Sequence, residues 1–112
     1  MKRNIKPLLK KHISELNQIL NQYQVTNRKS LVAKCETDIV FQKAVLMNVG
    51  YIGELSKKLE DSFKESNPEI NWRRLSKSRN IIFHEYDIVD IDIISTVIYK
   101  DINQLEAVLC ND

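Results

Sequence analysis

Glycine and proline are scarce in this chain of 112 residues, which contains only two of each. A β-sandwich or β-barrel requires a turn about every 8–12 residues, so an all-β fold is not expected. Hydrophobic side chains make up 43% of the residues, which excludes a disordered chain. The length fits one domain, residues 1–112, that is large enough to form a core without a metal ion or a disulfide.

Cysteines, excess charge and long apolar runs are also lacking. Cys35 and Cys110 show neither a CxxC pair nor a metal-ligand spacing, which predicts reduced thiols in an intracellular protein. Seventeen basic residues oppose 15 acidic ones, and this net charge of +2 does not by itself require nucleic acid. No apolar run approaches about 18 residues, and Lys10 and Lys11 interrupt any signal peptide, so we expect a cytoplasmic protein that does not bind membranes.

Apolar residues recur three and four positions apart in four segments, as they do in amphipathic helices. The spacing predicts an all-α fold, an antiparallel bundle with main helices over about 4–23, 28–63, 71–83 and from Asp90 or Asp92 to the C-terminus. Residues 88–98 are rich in β-branched side chains, but a single strand would have no partner, so helix is expected there.

The predicted second helix is long and contains both glycines of the chain. At about 1.5 Å per residue it would extend about 50 Å, so it must protrude, bend or pair with a second protomer. Gly50 and Gly53 predict either a bend or the close approach of another helix. Thr26 or Asn27 is a candidate N-cap for this predicted helix, because both directly precede it.

Most catalytic signatures are missing, including a glycine-rich phosphate loop, GxSxG and HExxH. Histidine is the usual side chain for proton transfer near neutral pH, and the chain has two, His12 and His84. His12 lies on the apolar stripe of the first helix, where a half-buried structural role is expected. His84 is therefore the candidate acid or base.

His84 ends a short basic segment that contains Arg73, Arg74, Lys77 and Arg79. Guanidinium and ammonium groups bind phosphate, and an imidazole with a nearby aromatic ring suits proton transfer and base stacking on RNA. We therefore predict that three of these residues bind RNA phosphates: Arg73, Arg74 and Lys77. The alternative from the residues alone is a solvated basic helix with a capping histidine.

The run WRRLSKSRNIIFHEYDIVD, which begins at residue 72, resembles the HepT-like branch of the HEPN-domain toxins. The hallmark of that branch is an arginine, four residues, a histidine, one residue and a tyrosine. Arg79, His84 and Tyr86 stand at this spacing, and Asn80 follows the arginine. The run YIGELSKKL at residues 51–59 is also similar to the family.

This resemblance implies a HEPN-type bundle of four main helices that acts as a homodimer. It implies a toxin that is a metal-independent RNA endonuclease without a cofactor, with Arg79 and His84 as catalytic residues and Asn80 in a supporting role. It further implies a partner, a minimal nucleotidyltransferase antitoxin, that transfers AMP to Tyr86. From the residues alone, Tyr86 has the alternative of packing at an interface with its hydroxyl exposed.

The chemistry of metal-free RNA cleavage explains why two chains are needed. Attack of the 2′-hydroxyl on phosphorus requires a base, an acid and a cation, and two protomers bring two copies of His84 and Arg79. In an ideal helix Asn80 and His84 lie about 40° apart, so Asn80 can orient the ring, whereas Arg79 and His84 lie about 140° apart. The latter two converge only if the helix loosens or if the second protomer supplies one of them. We expect the third and fourth helices near the two-fold axis.

Two other functions remain open from the sequence. One is a non-catalytic helical subunit that positions the substrate of a nucleotidyltransferase, and the other is a plain dimerisation domain. Glu54 is expected to be a solvated surface residue, although its position beside Gly53 leaves a role in the site open.

Overall fold

The computed structural model describes residues 4–84 and 88–111, and regular structure within these ranges is entirely helical. The helices are α1 (Ile5–Gln22), α2 (Arg28–Thr37), α3 (Ile39–Lys57), α4 (Asp61–Glu65), α5 (Trp72–His84), α6 (Ile91–Thr96) and α7 (Asn103–Cys110). A π-helical segment, Val97–Ile102, joins α6 to α7, so the three form one C-terminal helix. Within the described ranges, no helix combines the length and apolar character needed to cross a membrane.

The predicted all-α bundle is confirmed. Its four long elements are α1, α3, α5 and the C-terminal helix, and α3 packs against both α1 and α5. The stripes predicted from periodicity face one another and form a continuous apolar core. Fully buried members include Leu9, Ile13, Leu16, Phe41, Val45, Val49, Ile52, Leu75, Ile94, Leu105 and Leu109.

The single helix predicted over residues 28–63 is wrong, because this segment forms α2, α3 and α4. At Asp38 the backbone turns to an extended conformation (φ −137°, ψ 103°), and its carboxylate accepts a hydrogen bond of 3.0 Å from the backbone N–H of Phe41. Aspartate favours this capping position over a helix interior, and the hydrogen bond lowers the pKa of Asp38. A second break lies at residues 58–60. The helix of about 50 Å therefore does not form, and the expectation that it protrudes, bends or pairs with a second protomer no longer applies.

Two predicted helix starts and the predicted C-terminal helix are confirmed. Asn27 caps α2 in a reciprocal arrangement with Ser30, and the Asp90 side chain accepts a hydrogen bond of 2.9 Å from the Asp92 backbone at the start of α6. The β-branched segment is helical from Ile91 onwards. Here side-chain packing against the core outweighs the weak local preference for a strand.

The two glycines mark a close crossing of α3 and α5, which confirms one of the two predicted alternatives. A Cβ atom on Gly53 would lie 2.7 Å from the Leu75 carbonyl oxygen, and one on Gly50 would lie 2.8 Å from the Phe83 ring. Only a residue without a side chain permits this contact with a backbone atom. The crossing therefore fixes α5 against α3 along the half that ends at His84.

The start of α5 is held by two further residues. The Trp72 indole N–H donates to the carbonyl oxygens of Asn67 (3.0 Å) and Lys64 (3.2 Å), and Asn71 accepts a hydrogen bond of 2.9 Å from the Arg74 backbone. These contacts cap α5 and attach it to the preceding connection. The helix that carries the predicted site is thus fixed at both ends of its described length.

Candidate functional site

One exposed stripe of α5 carries His84 together with most of its polar neighbours. Arg73, Lys77, Asn80 and His84 follow one another at spacings of four, three and four, so they share one side of the helix. All four are exposed. The side chains of Arg73, Lys77 and His84 form no hydrogen bond or ion pair with any residue in the described ranges, so all three can meet a ligand.

Arg79 lies on a different side of α5, half-buried against α3. Its Nε is 2.9 Å from Glu54 Oε2, an ion pair in which the N–H is not aligned as a hydrogen bond. Its Nη1 donates a hydrogen bond of 3.1 Å to Asn80 Oδ1, and the guanidinium carbon lies 5.5 Å from the centre of the Phe83 ring. The arginine is therefore held in one orientation by three neighbours.

The helix remains regular through both motif residues. Because α5 is α-helical from Trp72 to His84, Arg79 and His84 stay about 140° apart around its axis. The helix does not loosen to bring them together within its described length. Asn80 shares the stripe of His84 as predicted, but its side-chain oxygen bonds to Arg79, and within the described ranges no hydrogen bond joins it to His84.

Arg74, which the sequence predicts to bind an RNA phosphate, forms an ion pair with a buried aspartate instead. Its Nε and Nη2 donate hydrogen bonds of 2.7 Å to the two carboxylate oxygens of Asp101, which is completely buried in the π-helical segment. This bond raises the pKa of Arg74. The pair ties α5 to the C-terminal helix, so Arg74 is a structural residue here. Sequence reasoning missed Asp101, although an acid within the apolar stripe of the last helix was a signal.

Glu54 is the second residue whose role the sequence left open. Its carboxylate contacts Arg79 across the α3–α5 crossing, and both side chains are one-third exposed. Gly53 allows this contact, because a Cβ at that position would lie 3.3 Å from the Arg79 Cβ. The expectation of a merely solvated glutamate is therefore wrong, and the glycine next to it was the available signal.

A row of rings continues from Phe83 across α3 to α1. The Tyr51 and Phe83 ring centres are 6.2 Å apart edge to face, and His12 stacks on Tyr51 at 5.4 Å. His12 is half-buried, as predicted for a structural histidine. Large apolar side chains are exposed on this side of the molecule, among them Val40, Met47, Tyr51 and Phe83. An apolar surface next to Arg79 suits contact with another chain.

Tyr86, the predicted site of modification, lies outside the described residues. In the described ranges, 4–84 and 88–111, no three side chains of His, Cys, Asp or Glu cluster as potential metal ligands.

Comparison with known proteins gives one matching family and several relatives. A family model described as "Ribonuclease HepT-like" matches residues 9–111. A probable ribonuclease HepT of Thermococcus cleftensis is 35% identical over 66 residues, which are 59% of this chain and 60% of the relative. A putative RNase of Caldanaerobacter subterraneus subsp. tengcongensis is 33% identical over 69 residues, 62% of each chain.

The matched part of this chain spans about 60% of the length of these relatives. No solved structure matches the chain.

Proposed function

Because this chain belongs to the HepT-like ribonuclease family, we propose that it is a metal-independent RNA endonuclease and the toxin of a toxin–antitoxin system. The observation that carries the proposal is the position of Arg79 and His84 on different sides of a regular α5. In one chain the two side chains leave α5 in directions about 140° apart. Two chains related by a two-fold axis would bring two arginines and two histidines to one cleft, where an arginine of one chain can meet a histidine of the other.

The proposed reaction uses only protein groups and the RNA itself. One His84 takes the proton of the 2′-hydroxyl, the 2′-oxygen attacks the adjacent phosphorus, and the bond from phosphorus to the 5′-oxygen breaks. The second His84 gives a proton to that leaving oxygen. Arg79 stabilises the additional negative charge on the phosphorane. The products are a 2′,3′-cyclic phosphate and a 5′-hydroxyl.

The exposed apolar surface on α3 and α5 supports a pairing surface for the dimer. Val40, Met47 and Tyr51 lie on α3, and Phe83 lies beside Arg79 on α5. A second copy seated here would cover these side chains and bring the two α5 helices together. The third and fourth helices, which the sequence predicts near the two-fold axis, correspond to α5 and the C-terminal helix. The pairing proposed here keeps α5 near the axis and replaces the C-terminal helix by α3.

The catalytic roles are tested with single substitutions. His84→Ala and Arg79→Ala should each lower the rate of RNA cleavage about 10²–10⁴-fold, with an unchanged far-UV circular dichroism spectrum. His12→Ala removes the other imidazole and serves as the matched control that keeps cleaving. Cleavage should persist in EDTA, and inhibition by EDTA would contradict the metal-independent mechanism. A well-folded chain that binds a nucleotidyltransferase but cleaves no RNA would support the non-catalytic alternative.

The shared site is tested by mixing. Mixed dimers of His84→Ala and Arg79→Ala chains contain one intact histidine and one intact arginine, whereas each variant alone lacks one of the two groups completely. If the site is shared, the mixture should be more active than either variant alone but less active than the unmodified chain, because one of the two histidines of the mechanism is missing. Light scattering on the unmodified chain should give a dimer at micromolar concentration. A monomer that cleaves RNA would overturn the two-chain mechanism.

We further propose that a nucleotidyltransferase antitoxin inactivates the toxin by transferring AMP from ATP to Tyr86. The Tyr86 oxygen would attack the α-phosphorus of ATP and lose its proton, and pyrophosphate would leave. A phosphate about 4 Å from Arg79 would interact with it by about 4 kcal/mol at an effective dielectric of about 20, and the adenosine would block RNA. Tyr86→Phe should cleave RNA but escape this inactivation. Mass spectrometry after co-expression with the partner should show added AMP on the peptide that contains Tyr86. An unmodified peptide in a fully neutralised complex would indicate occlusion instead.

A further inference from the structure

A groove of about 310 Å³ runs between α5 and the start of α6, on the side of α5 away from Arg79. Arg73 and Lys77 form its cationic rim, and Ile81 and Ile93 form an apolar wall. Ile93 is 43% exposed although it is a large hydrophobic residue. The volume is at the lower end of the range of about 300–1,000 Å³ found for small-molecule sites, which suits one nucleotide unit.

Within the described residues, no acidic side chain neutralises the two cations at the rim of this groove. The lining includes no acidic residue, and neither Arg73 nor Lys77 forms an ion pair within the described ranges. The two acids at the start of α6 are held elsewhere: Asp92 pairs with Arg28 at 2.9 Å, and Asp90 caps the helix. A ligand that brings negative charge is therefore favoured over an apolar or cationic one.

The groove is aligned with the proposed site of cleavage. Lys77 and Arg73 lie on the same stripe of α5 as His84, about 10 Å and 16 Å away along the helix axis at about 1.5 Å per residue. A single RNA strand with its scissile phosphate at His84 can follow this stripe, so that its next nucleotides reach the groove. Its phosphates would meet the two cations, and one base would cover Ile81 and Ile93.

We propose that this groove is a subsite for single-stranded RNA, which binds a nucleotide flanking the scissile bond. The proposal rests on the ribonuclease function proposed above. It assigns Arg73 and Lys77 to substrate affinity and Ile93 to contact with a base. Arg74 also lines the groove, but it is not assigned to RNA binding. Its pair with Asp101 holds α5 against the C-terminal helix instead.

The test measures binding of a 2′-O-methyl RNA decanucleotide, which cannot be cleaved through its 2′-oxygen, by fluorescence anisotropy at several salt concentrations. Each lost phosphate contact with single-stranded RNA reduces the slope of log K against log salt by about 0.7. The double substitution of Arg73 and Lys77 by alanine should therefore reduce the magnitude of the slope by about 1.4. The loss of affinity relative to the unmodified chain should then grow about 25-fold for each tenfold decrease in salt concentration. Substitution of Lys10 and Lys11 on α1 removes the same charge elsewhere and should change neither the slope nor the affinity.

The apolar wall is tested separately with Ile93→Asp, which places a carboxylate in the groove without disturbing the buried core. It should weaken binding of the same oligonucleotide about tenfold. Ile39→Asp, at an exposed residue of α3, is the matched control with the same change of side chain. If Ile93→Asp instead separates a dimer, the groove belongs to a protein interface and the subsite proposal is wrong.

Cleavage kinetics distinguish the subsite from the catalytic proposal. Substitutions in the groove should raise KM for a long RNA more than for a dinucleotide that does not reach the groove. An equal effect on both substrates, or an unchanged salt slope, would overturn the subsite. Binding of the oligonucleotide that depends on the groove in a chain without cleavage activity would refute the ribonuclease reaction but retain the groove as an RNA-binding site.

Discussion

The pair between Arg74 and Asp101 should contribute more to stability than any surface charge of the molecule. Breaking a buried ion pair costs about 3–5 kcal/mol. In Asp101→Asn the cost should be lower, about 2–3 kcal/mol, because the Arg74 side chain is 30% exposed and its guanidinium can turn to water. In Arg74→Met the cost should be higher, because Asp101 has no exposure and would be left as an unpaired buried carboxylate.

Urea unfolding followed by the fluorescence of Trp72, the only tryptophan, measures both effects. The midpoint of each transition should fall while the slope of the unfolding free energy against urea is unchanged, since the exposed area does not change. At roughly 4 °C per kcal/mol for a domain of this size, thermal unfolding of Asp101→Asn should begin about 8–12 °C lower.

The exposed pair between Arg28 and Asp92 is the matched control. Its distance, 2.9 Å, is close to that of the buried pair, but both side chains are about 60% exposed, so Asp92→Asn should cost less than about 1 kcal/mol. Equal losses for the buried and the exposed aspartate would refute the importance given to burial. A greater loss of stability for Asp101→Asn than for Arg74→Met would contradict the expectation that the more deeply buried partner is the more costly one to leave unpaired.

Three further predictions concern the crossing, the thiols and a helix cap. Gly53→Ala should lower the free energy of unfolding in thermal denaturation, because a Cβ atom 2.7 Å from the Leu75 carbonyl oxygen costs about 1–3 kcal/mol of overpacking. This cost outweighs the gain of about 1 kcal/mol in helix propensity. A stabilised variant would contradict the close crossing of α3 and α5. In a thiol assay at neutral pH the exposed Cys110 should react at once, whereas Cys35 should react only after unfolding, since burial raises its pKa to about 11. The pKa of Asp38 is lowered from 3.8 by folding, so its contribution to stability is present above about pH 4 and is lost as the pH falls through the folded value. Acid titrations of stability should show this loss in the unmodified chain but not in Asp38→Asn, and identical profiles would contradict it.

Local patterns predict the parts of this fold that depend on one face of one helix. The predicted bounds 4–23 and 71–83 differ by one residue at each end from α1 and α5. The break at Asp38 was missed because apolar residues recur at helical spacing on both sides of it. A helix boundary there depends on a single capping hydrogen bond, which leaves the hydrophobic period intact.

The candidate site was predictable only along one helix. The motif gives Arg79, Asn80 and His84 by their spacing in the chain. The partners of the arginines, Glu54 and Asp101, lie 25 and 27 residues away on other helices. Such pairs depend on how the helices are packed against each other, and no local spacing encodes that register.

The placement of Arg79 and His84 on different sides of α5 has a consequence for gene dosage. If the active enzyme is a dimer, its amount rises with the square of the chain concentration as long as monomers predominate. Doubled synthesis of the chain then gives about fourfold activity. A small imbalance against an inhibitor is thereby amplified. In that case a chain with a defective His84 also pairs with intact chains. Because these mixed dimers are impaired, the defective chain would act as a dominant inhibitor in a cell that makes both.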